Sequence, residues 1–394
     1  MFLHIDCNTY FASCEVATRP GLEGKPVVVA NDNENGGGII LALTPEAKAL
    51  GLKRGIPLFQ VRSLLKLNGV VICPVDHKKY RRISHEIMEG VKAQGIVQDF
   101  VQYSVDEFFG TLPIEDGEEA RTYARKVKDM IWEKTHIPVS CGLSQSYTLA
   151  KVATHYAKRY SGYEGVCALM PENREKALSM LDIADVWGIG RQYRRKLYDK
   201  GINTAQSFVS MKESEVCSIF SASGMHTWRE LKGEPCIDLR RPARQRSIMQ
   251  SRTFAYMTDN RDELEKSIRA FAADCAAKLR QQHSVCRNVQ VFLSTNRHRE
   301  DLAQYRNSGY VRLPSPTSDT PMITKAALAA LAELFKEGFL YKQAGVILAD
   351  INEERGMQLN LFSEPEDERH RKLMKLADDI NHKFGDDTVG FGGM

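Results

Sequence analysis

The sequence predicts an α+β protein of several domains, and three observations lead to that fold class. At 394 residues the chain is too long for one ordinary hydrophobic core. Short apolar strands alternate with amphipathic helices through residues 1–165. Residues 247–350 then run strand, helix, strand, strand, helix, strand, which predicts a sheet with helices on one face.

Composition narrows the class of protein. With 43% hydrophobic and 26% charged residues, the chain has the make-up of a globular protein. It contains no run of 18 apolar residues and no basic leader followed by an apolar stretch, so we expect neither a membrane span nor secretion. The nine cysteines form no Cys-x-x-Cys pair, which favours reduced thiols in a cytoplasmic protein over a structural zinc site.

Charge is distributed unevenly along the chain. The formal net charge is only +4, too small to identify a nucleic-acid partner. Residues 240–350, however, hold 18 Lys and Arg against 11 Asp and Glu, a local excess of +7, whereas residues 351–394 carry −4. This distribution predicts a phosphate-contacting surface in the C-terminal module. A merely solvated basic face remains the alternative.

The first elements follow directly from apolar runs and their boundaries. Residues 1–5 form a hydrophobic strand that ends at Asp6, and a turn and a helix start follow. A second strand over 25–30 leads into a glycine-rich turn and a third strand over 39–43. A helix then opens with Thr44 as its N-cap and Pro45 at its first position.

The middle of the first 165 residues supplies most of the predicted helices. Residues 76–95 and 118–135 show helical apolar spacing, and a strand over 139–144 precedes a third helix over 148–158. Between the first two of these helices lie an apolar segment at 96–101, the stretch 103–109 and then residues 110–113. This pattern predicts two short strands joined by a turn, with the adjacent acids at the bend. Strands separated by helices indicate an α/β layer.

The turn between those two strands carries adjacent acids, Asp106 and Glu107. Neighbours on a strand point to opposite faces, so the two carboxylates need a local distortion to share a cation. For this pair alone an exposed acidic turn is the simpler interpretation. Asp6, at the end of a buried strand, completes the carboxylate set of a two-metal phosphoryl-transfer site, for which Mg²⁺ is the natural ion.

A Trp-Gly-Ile-Gly-Arg segment at 187–191 has the pattern of a helix–hairpin–helix turn. Its glycines leave successive backbone N–H groups free to face a DNA phosphate. An ordinary turn between helices is the alternative. The basic residues that follow favour DNA, and the predicted contact residues are Gly188, Ile189, Gly190 and Arg191.

Three C-terminal features suggest contacts with partners. A proline-containing basic tether spans 239–246, and an apolar Gln-Leu-Asn-Leu-Phe peptide in a hydrophilic tail fits a docking segment. Residues 367–384 predict a short amphipathic helix. The residues concerned are Arg240, Arg241, Arg244 and Arg246 in the tether, Gln358, Leu359, Asn360, Leu361 and Phe362 in the peptide, and Leu373, Leu376, Ile380 and Phe384 on the helix.

The segments at 5–15 and 103–109 resemble the two metal motifs of Y-family translesion DNA polymerases. The resemblance covers nearly the whole chain and is strongest to the UmuC-type members. It implies a right-hand polymerase with an α/β palm, small fingers, a helical thumb and a βαββαβ little finger. The implied domains are palm (1–19 and 76–165), fingers (20–75), thumb (166–238), basic linker (239–246), little finger (247–351) and a tail with a clamp-binding peptide (352–394).

The same resemblance implies residue roles. Asp6, Asp106, Glu107 and the carbonyl of Cys7 would hold two Mg²⁺ ions. Lys48 and Lys158 match the family's triphosphate-binding cations, with Lys151 and Arg159 as open alternatives to the second. Pro45 stands where some relatives carry a tyrosine. The aromatic pair Tyr10 and Phe11 would meet the nucleotide, with Phe11 as the steric gate against a 2′-hydroxyl.

The activity implied is error-prone, template-directed DNA synthesis past damage, within a bacterial SOS response. Its partners would be primer-template DNA, deoxynucleoside triphosphates, the sliding clamp, a processed UmuD dimer and RecA, in the cytoplasm near the nucleoid and away from membranes. Two alternatives stay open. One is a DNA polymerase IV (DinB)-like enzyme without those protein partners, and the other is a clamp-docked DNA-binding subunit without catalysis.

Overall fold

The computed structural model describes residues 1–31, 38–240, 244–354, 368–385 and 388–390. The chain divides into two compact units, Met1–Pro242 and Ala243–Met394, and the boundary falls inside the predicted basic segment. Within the described ranges, no helix combines the length and the apolar character needed to cross a bilayer. The finer division of the first unit into palm, fingers and thumb stays a prediction.

The described elements are strands in three sheets and the helices that pack on them. The strands are β1 (Phe2–Cys7), β2 (Val27–Ala30), β3 (Ile40–Leu43), β4 (Val71–Pro74), β5 (Gln98–Gln102), β6 (Glu107–Thr111), β7 (Val139–Ser144), β8 (Val166–Ala168), β9 (Ile248–Thr258), β10 (Ser284–Thr295), β11 (Arg306–Thr317) and β12 (Tyr341–Glu353). The helices are α1 (Tyr10–Thr18), α2 (Pro45–Ala49), α3 (Leu58–Leu67), α4 (His77–Lys92), α5 (Gly117–Thr135), α6 (Tyr147–Arg159), α7 (Pro171–Met180), α8 (Arg191–Tyr198), α9 (Ala205–Val209), α10 (Glu213–Ile219), α11 (Ala222–Leu231), α12 (Arg261–Gln281), α13 (Thr320–Leu334) and α14 (Glu368–Phe384).

A five-stranded sheet with the order β5-β6-β1-β7-β8 forms the centre of the first unit. Strand β1 pairs antiparallel with β6 on one side and with β7 on the other. Leu3 and Ile5 point from β1 into the core shared with α4 and α5. Because side chains alternate along a strand, His4 and Asp6 lie on the opposite face, which α6 covers.

Helix α6 approaches this sheet closely at Gly142 of β7. A Cβ atom at Gly142 would lie 2.1 Å from the carbonyl oxygen of Ala150 and 2.3 Å from the backbone nitrogen of Thr154. Only glycine therefore permits the contact. His4 is the cross-strand partner of Gly142. The close approach consequently brings the polar side chains of α6 against the polar face of β1.

A smaller three-stranded sheet with the order β3-β2-β4 has its own apolar core, formed with α2 and α3. The predicted start of α2 is confirmed, since the Thr44 hydroxyl accepts a hydrogen bond from the backbone N–H of Ala47 and Pro45 follows at the first helical position. This start fixes the orientation of the short helix that carries Lys48.

Helices α7 to α11 form a third cluster in the first unit, whose core also includes one side of α6. Glu230 of α11 is fully buried, and its carboxylate accepts backbone N–H bonds from Thr148, Cys236 and Ile237. These bonds compensate the buried charge and tie α11 to the first turn of α6.

The second unit has the predicted βαββαβ order, with the sheet order β11-β10-β12-β9. Helices α12 and α13 pack against one face of this sheet, as the composition of the core shows. On β11, Val311 and Leu313 point toward that core. The alternate positions Arg306, Tyr310 and Arg312 therefore lie on the face without helices, where Tyr310 is 72% exposed.

Helix α14 confirms the predicted helix but corrects its predicted buried face. Met374 and Ala377 are the buried residues, whereas Leu373, Leu376 and Phe384 of the predicted apolar stripe are 50%, 57% and 67% exposed. Two polar contacts fit this orientation. Arg280 of α12 donates from Nε and Nη2 to Asp378, each at 2.7 Å, and His370 Nδ1 lies 3.0 Å from Asp319 Oδ2.

Candidate metal and nucleotide site

The predicted carboxylates meet at one end of the five-stranded sheet. Asp6, near the end of β1, is the cross-strand partner of Glu107, the first residue of β6. The backbone N–H of Cys7 donates to the carbonyl of Asp106 at 2.9 Å, which holds the turn against the end of β1. Ser104 donates its hydroxyl to the Asp106 carboxylate at 2.6 Å. That Asp106 and Glu107 share a cation stays a prediction.

Two lysines of α6 neutralise these acids. Lys158 Nζ lies 2.5 Å from Asp6 Oδ1, and Lys151 Nζ lies 2.9 Å from Glu107 Oε1. Burial raises the pKa of the Asp6 carboxyl above its ordinary value. Lys158 opposes that rise, while the neighbouring charges of Glu107 and Asp106 add to it. The neighbouring acids thus disfavour the ionised form of Asp6, and a further cation beside them would relieve that repulsion.

A cavity of about 650 Å³ opens beside Asp6 and Asp106, whereas Glu107 is not among its lining residues. Its walls come from the turn after β1, the first turn of α1, the β3–α2 segment and the end of α6. Lys53 and Arg54 add two cations that sequence reasoning missed, although their position just after α2 could have suggested them. The predicted site residues that line the cavity are Asp6, Cys7, Tyr10, Phe11, Lys48, Asp106 and Lys158.

An aromatic platform forms one wall of this cavity. The rings of Phe11 and Tyr80 stack with centroids 4.4 Å apart. Tyr10 is 3% exposed and donates its hydroxyl to the backbone carbonyl of Tyr80, so this side chain is mainly a packing element. The Tyr80 hydroxyl donates to the fully buried Glu15, whose charge Lys79 neutralises at 2.8 Å. This buried network holds the platform in place.

The Cys7 thiol is not suited to bind a cation. It is fully buried, and burial raises its pKa well above the ordinary value, with the charges of Asp6 and Asp106 acting in the same direction. The thiol is therefore protonated at neutral pH, which agrees with the prediction that Cys7 would contribute only its carbonyl oxygen.

His4 is a polar residue of this site that the sequence analysis missed. Its side chain is 1% exposed, and Nε2 lies 3.8 Å from Glu107 Oε1. Burial lowers its pKa well below the ordinary value, and the charges of Lys151 and Lys158 act in the same direction, so the ring is neutral. The two-residue spacing between His4 and Asp6 could have predicted this placement, because alternate residues of a strand lie on the same face of the sheet.

The donor atoms of His4, Asp6 and Glu107 all lie within 4.8 Å of one another. A second cavity, of about 360 Å³, opens on His4, Asp6, Lys151 and Lys158. The carboxylate oxygens and the neutral imidazole nitrogen are donors that divalent cations accept. By its chemistry, the donor set fits a divalent metal ion.

The predicted helix–hairpin–helix turn lies next to the acidic turn. Trp187 Nε1 donates to the Tyr103 hydroxyl at 3.2 Å. The ammonium of Lys151 lies 5.2 Å from the ring centroids of both Tyr103 and Trp187. These contacts join the turn at 187–191 to the residues around Glu107.

Within that turn, the two glycines differ in the space around them. Gly188 has φ +89°, and a Cβ there would lie 2.4 Å from Thr227 Oγ1, so any side chain is excluded. Gly190 has open space around it. Ile189 is 7% exposed and packs inward, while Arg191 is exposed at the start of α8. The structure thus leaves Gly190 and Arg191 available to a ligand.

The remaining predicted DNA contacts are only partly described. Arg240 pairs with Asp238 at 3.0 Å and with Asp99 at 3.4 Å, and Arg244 pairs with Glu353. These ion pairs are solvent-exposed and therefore weak enough to open. Arg246 is exposed. Arg241 and the predicted clamp-binding peptide Gln358–Phe362 lie outside the described residues.

Comparison with known proteins decides the family. Residues 5–155 match the model of the impB/mucB/samB family, and residues 245–361 match the model of that family's C-terminal domain. The chain belongs to the impB/mucB/samB family. It is 34% identical to the protein UmuC of Salmonella typhimurium over 400 residues, which covers 100% of this chain and 93% of that protein.

Solved structures identify the fold of this impB/mucB/samB family member. A Y-family DNA polymerase chimera matches with a TM-score of 0.67 at 20% identity, covering 89% of this chain and 99% of the chimera. An insertion ternary complex of Dbh DNA polymerase matches with a TM-score of 0.55 at 22% identity, covering 89% and 99%. The predicted fold class, an α+β right-hand polymerase, is therefore confirmed.

Proposed function

We propose that this chain is an error-prone translesion DNA polymerase that adds deoxynucleotides to a primer 3′ end opposite damaged template. Family membership over the full chain and the Y-family fold support the reaction class. The observation that carries the residue assignment is the meeting of Asp6, Asp106 and Glu107 beside the cavity that Phe11 and Lys158 line. Those residue roles are our inference.

Two Mg²⁺ ions would be held by the carboxylates of Asp6, Asp106 and Glu107 and by the carbonyl of Cys7. Oxygen donors are what this hard cation prefers, and the neighbouring charges of Glu107 and Asp106 at Asp6 support the assignment. When bound, the ions supply activation of the primer hydroxyl and neutralisation of charge on the leaving pyrophosphate. Glu107 and Asp6 are presented on adjacent strands, so their separation is fixed before any substrate arrives.

The cavity residues bind and orient the nucleotide in this proposal. Lys158 exchanges its bond to Asp6 for the triphosphate, and Lys48, exposed on the opposite wall, contacts the same group. The Phe11 ring lies beneath the sugar and excludes a 2′-hydroxyl by its bulk. Its stacking on Tyr80 prevents it from turning away, so selectivity depends on a rigid platform rather than on a flexible side chain.

DNA would contact both units. In the first unit, the open backbone at Gly190 and the exposed Arg191 support a phosphate contact at the helix–hairpin–helix turn. In the second, Arg306, Arg312 and Tyr310 give the helix-free face of the sheet positive charge and an aromatic surface. One structural neighbour is an insertion ternary complex of Dbh DNA polymerase, which is consistent with DNA and nucleotide as substrates.

The protein partners follow from the UmuC resemblance. We propose a sliding clamp that binds the peptide at 358–362, a processed UmuD dimer and RecA, in the bacterial cytoplasm near the nucleoid. A DinB-like enzyme would share the chemistry and act without UmuD and RecA. An accessory subunit would bind DNA and clamp and would incorporate no nucleotide.

Primer extension on gapped template tests the proposal. The full chain, with and without processed UmuD, is assayed beside Asp106→Ala and beside Glu133→Gln, an exposed acid on α5. If Asp106→Ala loses about 4 kcal/mol of transition-state stabilisation, its rate of nucleotide incorporation falls roughly 10³-fold. Glu133→Gln is expected to keep the normal rate. Normal extension by Asp106→Ala would refute the catalytic assignment. Extension that processed UmuD does not stimulate would favour the DinB-like alternative.

A further inference from the structure

His4 has one hydrogen-bonded nitrogen and one nitrogen that faces the acids. Nδ1 lies 2.8 Å from the hydroxyl oxygen of Thr154 on α6. That hydroxyl also lies 3.0 Å from the carbonyl oxygen of Ala150, four residues earlier in the helix. Threonine hydroxyls within helices donate to the carbonyl four residues earlier, so the Thr154 hydroxyl donates its hydrogen to Ala150. Its oxygen then accepts a hydrogen bond from His4 Nδ1–H. In the neutral ring, Nε2 then carries a lone pair and no proton.

This lone pair has no hydrogen-bond partner in the part of the chain that the structure describes, although the side chain is 1% exposed. It points toward the Glu107 carboxylate, whose oxygen is 3.8 Å away. Glu107 is 20% exposed and its Oε1 already accepts from Lys151 Nζ at 2.9 Å, whereas the buried lone pair on His4 Nε2 is uncompensated among the described residues. A cation between the two groups would compensate that lone pair. Histidines that bind metals commonly donate their other N–H to an oxygen, as His4 does to Thr154.

The distances allow His4 and Glu107 to share one ion. Two donors that each lie about 2.1 Å from an ion are at most about 4.2 Å apart. The 3.8 Å between Nε2 and Oε1 is within that limit. His4 and Asp6 both line the cavity of about 360 Å³.

We propose that His4 Nε2 is a nitrogen ligand to the cation held by Asp6 and Glu107, so that this position selects a first-row transition ion over Mg²⁺. The inference builds on the metal site of the proposed function and adds a residue to it. Imidazole nitrogen favours transition ions, whereas Mg²⁺ prefers oxygen alone. The ion nearer the triphosphate, with only oxygen donors, would remain Mg²⁺.

Pulsed electron paramagnetic resonance on the full chain tests the proposal, with Mn²⁺ as the probe. The expected result is a nitrogen modulation on the bound Mn²⁺ that changes when the chain is made with ¹⁵N-histidine. His4→Leu is expected to lose this modulation and to bind Mn²⁺ about tenfold or more weakly, the range found when groups supporting a metal are removed. Binding of Mg²⁺ should change far less. His155→Leu, a histidine that lines the same cavity, is the matched control and should keep the modulation.

Each outcome decides the question. Absence of nitrogen modulation in the native chain, or its persistence in His4→Leu, overturns the proposal. His4→Gln replaces His4→Leu if the leucine variant fails to show the native thermal unfolding transition. Asp6→Asn and Glu107→Gln separate the two levels of inference. If they leave Mn²⁺ binding unchanged, the metal site itself is wrong, whereas bound Mn²⁺ that needs Asp6 but shows no nitrogen refutes only the role of His4.

Discussion

Lys158 Nζ lies 2.5 Å from Asp6 Oδ1, so the predicted triphosphate cation forms a salt bridge with a predicted metal ligand. The two roles are compatible if the lysine neutralises Asp6 in the free protein and moves to the phosphates when metal and nucleotide bind. The salt bridge then keeps a buried carboxylate ionised and ready for a cation.

Replacing Lys158 with methionine is expected to weaken nucleotide binding. Loss of a charged hydrogen-bond donor to phosphate should raise the KM for deoxynucleotides about tenfold or more. Steady-state primer extension at varied nucleotide concentration measures this. Lys126→Met, on the exposed side of α5, is the matched control. An unchanged KM in Lys158→Met would transfer the role to Lys151 or Arg159.

The raised pKa of Asp6 predicts a pH dependence with a definite sign. As pH falls through this raised pKa, Asp6 takes up a proton and polymerase activity falls. The loss of activity is expected at a higher pH than for an aspartate with an ordinary pKa. In metal-free buffer the folded state then binds more protons than the unfolded state, so the contribution of Asp6 to the free energy of unfolding rises as pH falls. Urea unfolding with a chelator, compared with Asp6→Asn, measures this. A native chain whose pH dependence equals that of Asp6→Asn would contradict it.

Phe11→Ala is expected to admit ribonucleotides. Removing the ring opens space beneath the sugar, so discrimination against ribonucleoside triphosphates should fall about tenfold or more. Competitive incorporation of the two nucleotide types measures it. Phe59→Ala removes a phenylalanine that is 62% exposed elsewhere in the first unit and should leave selectivity intact. Unchanged discrimination in Phe11→Ala would remove the steric-gate role.

The two glycines of the helix–hairpin–helix turn should respond differently to alanine. Gly190→Ala has room for its methyl group, so we expect normal thermal stability with weaker DNA binding and a salt dependence reduced by about one phosphate contact. Gly188→Ala has no such room and needs a positive φ, so its unfolding midpoint should fall. Fluorescence anisotropy at several salt concentrations and thermal unfolding distinguish the two. Normal DNA binding by Gly190→Ala would show that the turn is structural.

Much of the site could be predicted from local sequence. The strand that ends at Asp6, the hairpin with Asp106 and Glu107 at its turn, and the capped helix that carries Lys48 all depend on short-range patterns of apolar spacing and turn residues. Such patterns operate over a few residues and are visible in the chain. The βαββαβ order of the second unit could be predicted for the same reason.

Other features depended on contacts between distant residues. His4 looked like part of an apolar strand until the close approach of α6 at Gly142 placed Thr154 against its ring. The salt bridges of Lys151 and Lys158 follow from the same approach. In α14, the ion pairs Arg280–Asp378 and His370–Asp319 join residues far apart in the sequence, and the helix leaves Leu373 and Leu376 of its apolar stripe exposed.

The sequence by itself determined the secondary-structure elements and the identity of the acidic site residues, because both depend on local periodicity and residue type. The tertiary structure decided which cation faces which acid and that a histidine joins them. Those pairings depend on strand register and on how closely a helix can approach a sheet, and both are set by residues far apart in the chain.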